Sequence, residues 1–258
     1  MPPAPHRLAW RAATLLAACR QAATARTLLF EVPGWPGHLA GQHVIVRLTA
    51  TDGYSAQRSY SIASAPPAGD RVELTVQRLE DGEVSPYLAD VIEPGDQVEI
   101  RGPIGGWFVW DHDSAAPLQL IAGGSGIVPL MSMIRAASGT VPIRLLYSAR
   151  TPADVIYSGE LARRAQAGSV AVTQLFTRAG DQPPSAPAVP SAAPVASVTR
   201  LQGRIRADVV ADVTWAPQDS PAIFICGPSG FVEAAASLLI AAGHAPSTIK
   251  TERFGPTS

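Results

Sequence analysis

The chain has 258 residues, 47 % of them hydrophobic, with 24 prolines and 22 glycines; this is globular composition, clear of the Pro/Gly excess of disordered chains, and its length predicts one large or two medium domains. Twenty Lys and Arg against twenty-one Asp and Glu leave a net charge of −1, which supplies no global field for a phosphate backbone and excludes a dedicated nucleic-acid binder.

At the N-terminus an Ala-Leu run, Ala12 to Ala18, follows Arg7 and Arg11 and has the outline of a short leader, but Trp10 and Arg11 break it and no small-residue cleavage site ends it. No stretch approaches the roughly 18 uninterrupted apolar residues of a membrane span, so a soluble, cytoplasmic protein that does not engage a membrane is expected. From Thr14 to about Arg101 short β-type runs (Arg26 to Val32, His43 to Leu48, Arg71 to Gln77, Gln97 to Ile100) alternate with Pro-Gly, Asp-Gly and Gly-Asp turns, the rhythm of a small antiparallel β-barrel. The polar link Asp111-His112-Asp113-Ser114 ends it, and residues 1–113 are read as one domain. From Pro117 onward strand and helix signals alternate: strand Leu118 to Ala122, helix Ile127 to Ala137, strand Ile143 to Ser148, helix Asp154 to Gln166, strands Val170 to Phe176 and Ala222 to Cys226, helix Gly230 to Ala242. Such alternation predicts a parallel α/β sheet over residues 114–258. Within it, residues 181–200 hold five Pro, five Ala and three Ser, a composition that buries too little apolar area to offset its ordering entropy and predicts a flexible loop. Two cysteines, Cys19 and Cys226, cannot make a disulfide framework, a four-Cys zinc site or an iron–sulfur cluster.

Four short segments carry chemistry. Arg58-Ser59-Tyr60-Ser61, opening a strand over Tyr60 to Ala63, offers a guanidinium for phosphate, a flat ring for stacking and a hydroxyl for a heteroaromatic nitrogen; an ordinary polar strand accounts for it equally. Gly82-Glu83-Val84-Ser85-Pro86 reads as a glycine turn into a helix with Ser85 as N-cap and Pro86 first inside, either an anion site or simply a well-capped surface helix. Gly123-Gly124-Ser125-Gly126-Ile127-Val128-Pro129 runs from strand into helix, so backbone can approach a pyrophosphate at the helix start. It lacks the G-x-G-x-x-G spacing of the usual dinucleotide fingerprint. Cys226-Gly227-Pro228 ends a parallel strand, where open α/β sheets bind ligands, although a buried thiol there can be purely structural.

In this order and at these separations the four segments resemble the ferredoxin–NADP reductase superfamily, over about Thr14 to Gly255. The resemblance implies an N-terminal FAD-binding barrel followed by an α/β pyridine-nucleotide domain. It further implies Tyr60 stacked on the isoalloxazine, Ser61 beside flavin N5 and Arg58 on the pyrophosphate. Gly82, Glu83, Val84 and Ser85 form the second FAD-phosphate element, and Val76, Gln77 and Arg78 line the flavin pocket. Gly123, Gly124, Ser125, Gly126, Ile127 and Pro129 hold the nucleotide pyrophosphate, Cys226, Gly227 and Pro228 stand by the nicotinamide, and Ser61 and Cys226 align hydride transfer.

NADPH differs from NADH by a 2′-phosphate, which calls for arginines at the strand ends. Arg150 after Ser148, Arg178 and Arg204 fit, with no acidic residue at positions 149 or 150 to hold a 2′-hydroxyl, so NADP is expected and NAD remains possible. Relatives of this kind often carry a plant-type iron–sulfur domain. With no such cluster in these residues, electrons are expected to pass to a separate ferredoxin, flavodoxin or oxygenase component, a flavin-binding regulatory subunit without turnover being the alternative. Phe254 is either an aromatic cover for the flavin or a hydrophobic anchor. The histidines, His6, His38, His43, His112 and His244, lack metal-ligand spacing and are read as structural or surface residues.

Overall fold

The computed structural model describes residues 9–66, 69–112, 114–137, 139–178 and 198–254. Strands β1 (Trp10–Ala22), β2 (Ala25–Glu31), β3 (His43–Thr49), β4 (Ser55–Ser61), β5 (Arg71–Gln77) and β6 (Gln97–Ile104) form one antiparallel sheet in the order β4-β3-β6-β1-β2-β5. A bridge between Ile62 and Leu74 joins its two edges into a barrel, which removes the exposed edges an open sheet would present. Alternation does the work: Val44 and Val46, Val72, Leu74 and Val76, and Val98 and Ile100 point inward around Leu28 and Phe30. Val84, Leu88 and Ile92 plug one end.

The Ala-Leu run, Ala12 to Ala18, is part of β1, the longest strand among the described residues, hydrogen-bonded between β2 and β6. Ala13 and Leu15 face the core, and register shifts between Leu15 and Ala17 and between Arg20 and Ala22 on the β2 side let the strand bend. Arg58, Tyr60 and Ser61 close a strand rather than open one, because β4 starts directly after the Asp52-Gly53 turn and ends where Ser61 pairs with His43, the first residue of β3. The segment after Gly82 also departs from expectation. Only a short π-helix, Tyr87–Val91, forms there, with Pro86 at its N-cap position. Ser85 does not cap it, because its Oγ is occupied by the Leu79 N–H at 3.1 Å.

The second sheet is wholly parallel, in the order β10-β9-β8-β7-β11-β12, from β7 (Leu118–Gly123), β8 (Ile143–Ala149), β9 (Ala171–Phe176), β10 (Thr199–Gln202), β11 (Ala222–Pro228) and β12 (Ile249–Phe254). Helices α1 (Ile127–Ala136), α2 (Ser158–Gln166), α3 (Ala207–Val213) and α4 (Ser229–Ala241) accompany it. Every residue of central β7 is buried, as a strand covered on both faces requires. The order runs outward in both directions from β7, so the chain reverses at the β7/β11 junction and opens a crevice at the strand C-termini. The helix expected from Asp154 begins only at Ser158. Asp154 instead accepts from the backbone and hydroxyl of Thr151 in a separate turn, and Tyr157 breaks the run with φ +62°. Of the Pro/Ala/Ser-rich segment, positions 181–197 lie outside the described residues, whereas Thr199 and Arg200 already belong to β10.

The two units meet along a seam that is apolar in the middle and ionic at one flank. Ala25, Ala40 and Ala63 of the barrel, with Phe108 and Trp110 after it, join the core of the α/β unit. At the flank Arg135 of α1 donates to the Ala63 carbonyl (2.9 Å), to Glu73 of β5 and to Glu160 of α2 (2.6 Å). Ser132 Oγ donates to the Ser64 carbonyl at 2.7 Å, and the buried Tyr157 hydroxyl donates to Thr75. With only 18 % of its side chain exposed, Arg135 is desolvated, and its removal takes the cation from half-buried Glu73 and leaves Glu160 with Arg164 alone. Arg135→Met is therefore expected to lower unfolding free energy by about 2–4 kcal/mol, read from urea denaturation; a loss under about 0.5 kcal/mol would contradict the seam's role.

Candidate functional site

In the middle of β4, Arg58 lies 2.6 Å from Glu83 Oε2 and also donates to the Gln57 carbonyl. The structure thus brings together the two segments expected to share a phosphate, though Arg58 is held by a carboxylate. Tyr54 donates to the other oxygen of Glu83, and both hydrogen bonds together with the Arg58 charge hold that carboxyl below its usual range. Two residues along, Tyr60 is largely packed on the barrel, and burial raises its phenol so that it stays neutral. Ser61 is buried and its Oγ has no hydrogen-bond partner. An orphaned buried hydroxyl costs about 1–3 kcal/mol unless something accepts from it or donates to it. Val76 spends its side chain on the barrel core, Gln77 reaches Thr24, and Arg78 pairs with Asp90 at 2.8 Å.

Across the seam the crevice is built by close backbone approach. A Cβ on Gly126 would lie 2.1 Å from the Cys226 carbonyl oxygen, so only glycine lets the β7–α1 loop pass the end of β11. Gly124 differs: it takes φ +56° with nothing within 4 Å of a Cβ position, which leaves open space over the loop. Gly123 and Gly227 both abut the Phe231 ring of α4. Ser125 and Ile127 carry the chain into α1, with Pro129 buried in its first turn, where a missing N–H costs no hydrogen bond. Pro228 is the N-cap residue of α4.

Two further residues complete the center: Glu252, which sequence reasoning passed over, and His43, which it read as a structural or surface residue. Cys226 on β11 pairs in register with Glu252 on β12. Glu252 Oε1 is 4.0 Å from His43 Nδ1, and His43 pairs across strands with Ser61. Ser61, His43, Glu252 and Cys226 therefore form one continuous set spanning both units. Burial pushes the Glu252 carboxyl up to about 7, and its Oε2 is buried without a partner. Burial, then the Glu252 charge, raises the Cys226 thiol, so it is neutral rather than a nucleophilic thiolate. Burial lowers His43. By contrast His38 serves structure, bonded to Trp35 Nε1 and to the Ser64 carbonyl. Lys250 to Arg253 are all polar, so no hydrophobic alternation in the sequence marks Glu252 as a strand residue.

Arg150, Arg178 and Arg204 are all exposed and follow the C-terminal ends of β8, β9 and β10. The Arg178 N–H donates to the Arg150 carbonyl at 2.8 Å, which sets those two side by side, while Ser148 is buried. Phe254 packs against the α/β core, as an anchor would. No helix among the described residues is long and apolar enough to cross a membrane.

Comparison with known proteins bears on this geometry. Residues 18–109 match the family model described as oxidoreductase FAD-binding domain, and residues 120–237 match oxidoreductase NAD-binding domain. The glycine betaine monooxygenase reductase subunit of Chromohalobacter salexigens is 31 % identical over 220 residues, 84 % of this chain and 56 % of that protein. The chain thus spans a little over half the length of that curated relative. The crystal structure of Amycolatopsis cytochrome P450 reductase superposes with TM-score 0.79 at 27 % identity, covering 98 % of this chain and 72 % of that one. A ferredoxin NADP+ reductase from Neisseria gonorrhoeae with bound FAD and NADP shares the fold, with TM-score 0.75 at 20 % identity over 95 % and 98 % of the two chains.

The raised Glu252 carboxyl has a consequence for the ligand-free protein. Between pH 4.5, the ordinary value, and about 7, the folded state holds a proton that the unfolded state has lost, so stability falls as pH rises through that window, by about 3 kcal/mol at the upper end. Glu252→Gln is expected to match the parent near pH 4.5 and to exceed it above pH 7.5 in thermal unfolding. A difference independent of pH would contradict the shifted carboxyl.

Proposed function

From the premise that this chain belongs to the ferredoxin–NADP reductase superfamily, we propose that it is an FAD-dependent NAD(P)H reductase that passes electrons to a separate acceptor protein. The observation that carries this reading is the buried, unpartnered Ser61 hydroxyl, linked to the Cys226 turn through its strand partner His43 and through Glu252. The residues present fit both groups: Ser61 and Glu252 have buried polar atoms in need of partners, and the space over Gly124 is open. The flavin, when bound, supplies the capacity to take two electrons at once and release them singly.

The chain's own residues bind and align. Tyr60 gives a neutral stacking face and Arg58 a cation for the FAD pyrophosphate. Gly82 to Ser85 add backbone amides, and the outward backbone of Val76, Gln77 and Arg78 borders the ring system. Gly123 to Ile127 present backbone to the nucleotide pyrophosphate at the start of α1, and Cys226, Gly227 and Pro228 seat the nicotinamide against the flavin side of the seam. The neutral Cys226 thiol positions and excludes water; it performs no covalent step. The three strand-end arginines favour NADPH over NADH through its 2′-phosphate. We divide the chain into a flavin domain to residue 113 and a nucleotide domain beyond it, and a cytoplasmic location goes with this reading. The acceptor class follows the relative described as a monooxygenase reductase subunit, an oxygenase component or its ferredoxin.

Two experiments test the assignment. Arg58 is partly exposed, which limits its contribution, so Arg58→Ala is expected to weaken FAD binding about tenfold in a fluorescence titration; an unchanged dissociation constant would remove Arg58 from the flavin site. The Arg150→Ala/Arg204→Ala double variant is expected to raise KM for NADPH about tenfold or more and leave KM for NADH nearly unchanged. Equal effects on both coenzymes would overturn the preference.

A further inference from the structure

The chain's only lysine, Lys250, stands near the start of β12, toward the end of the α/β sheet away from the crevice. Its ammonium donates to the Val109 carbonyl at 2.8 Å and lies 5.2 Å from the center of the ring of Phe224, its register partner on β11. Neither contact neutralises it, and it makes no ion pair among the described residues. An ammonium has three donors, so two remain to be used. Lys250 borders a cleft of about 170 Å³, set between the link that leaves the barrel and the first residues of β11 and β12. Apolar walls come from Val109, Ala222, Ile223 and Phe224. Trp110 forms a further wall; it is 3 % exposed, and its Nε1–H is buried without a hydrogen-bond partner. An indole nitrogen only donates, and a buried donor left unpaired is unfavourable. Both polar groups therefore call for an acceptor. The cleft's other polar groups are Ser114, whose Oγ accepts from the Ala116 N–H at 3.3 Å, and exposed Asp111 and Thr248 on the rim.

We propose that this cleft is a binding site for a small monocarboxylate with an apolar body, of the size of benzoate, held by the Lys250 ammonium and the Trp110 indole. Three properties select that class. Two N–H donors, one of them charged, match the two oxygens of a carboxylate. The walls take a hydrocarbon body, and a cavity of about 150 Å³ is enough for a benzene ring. Asp111 on the rim disfavours a second negative charge on the ligand, and with it a phosphate dianion. A mostly apolar hollow with a few polar groups is the usual form of a small-molecule site. None of the residues assigned above to the flavin or to the nucleotide lines this cleft, so the site goes beyond the reductase reading and does not rest on it.

The first test is an NMR titration of the isotope-labelled whole chain with benzoate as probe. The Trp110 indole N–H resonance is expected to move saturably, with Kd about 1 mM. Acetate, which lacks the ring, benzamide, which lacks the charge, and inorganic phosphate are expected to bind about tenfold more weakly or less. Lys250→Met keeps the apolar stem and removes the cation, and is expected to weaken benzoate about tenfold; Trp110→Phe keeps a ring and removes the donor, and is expected to weaken it about threefold. No saturable shift with benzoate, tighter binding of phosphate, or undiminished binding in Lys250→Met would overturn the proposal. The second test needs no variant. Because Lys250 is the only lysine, its acetylation by acetic anhydride can be followed at that one residue by peptide mass spectrometry. Benzoate at about ten times its Kd is expected to slow that acetylation about fivefold or more, and benzamide at the same concentration to leave it nearly unchanged. An unchanged rate with benzoate would overturn the proposal.

Discussion

One guanidinium, that of Arg135, bonds a barrel carbonyl, a barrel carboxylate and a carboxylate of the α/β unit, and the spacing of the two halves depends on it. Each carboxylate is largely desolvated, so each needs the cation more than a surface ion pair would. Arginine keeps its charge at every accessible pH, which makes the clamp insensitive to the titrations that occur at the site nearby. Arg135 and Ser132 lie on α1, the helix that begins at the glycine loop, and their acceptors Ala63 and Ser64 follow Ser61 by two and three residues. The clamp therefore ties the hydroxyl of the flavin side to the helix of the nucleotide side through a handful of bonds.

The same economy governs the crevice. The β7–α1 loop passes the end of β11 at a separation that only Gly126 tolerates, and this contact places the Cys226 turn beside the nucleotide loop. Packing and binding thus impose separate demands within one glycine cluster. Gly126 is required by the neighboring backbone, Gly124 by its left-handed conformation beneath open space. The center between them is nearly neutral, with a protonated thiol, a carboxyl that shifts near neutral pH and a lowered histidine. Such a setting suits hydride transfer, for which placement matters more than acid–base strength.

Much of this was legible in the sequence wherever a short-range signal exists. The barrel strands alternate, the α/β strands are apolar runs bounded by turns, and the glycine loops interrupt strand-to-helix junctions, so both sheets and both loops could be placed. The chain hid what depends on distant partners. Glu252 acquires its shifted carboxyl from burial at a junction of distant segments, between Cys226 on the adjacent strand and His43, which lies more than two hundred residues earlier. His43 carries no local mark that separates it from His38, a histidine with a purely structural partner set. Tyr157 shows why the second long helix shortens: its hydroxyl is drawn to Thr75 on the barrel, and the backbone takes up a left-handed conformation that helical propensity cannot foresee. β1 was obscured because its small side chains imitate a leader; only pairing with β2 and β6 reveals a strand.

The central claim is that the two halves are held so that a flavin beside Ser61 meets a nicotinamide beside Cys226. Its most direct test is an anaerobic titration of the FAD-loaded protein with stoichiometric NADPH and, separately, NADH, followed by visible absorption. The account predicts that the oxidised-flavin band bleaches with about one equivalent of nucleotide and faster with NADPH. A bound flavin whose band neither nucleotide bleaches would contradict it.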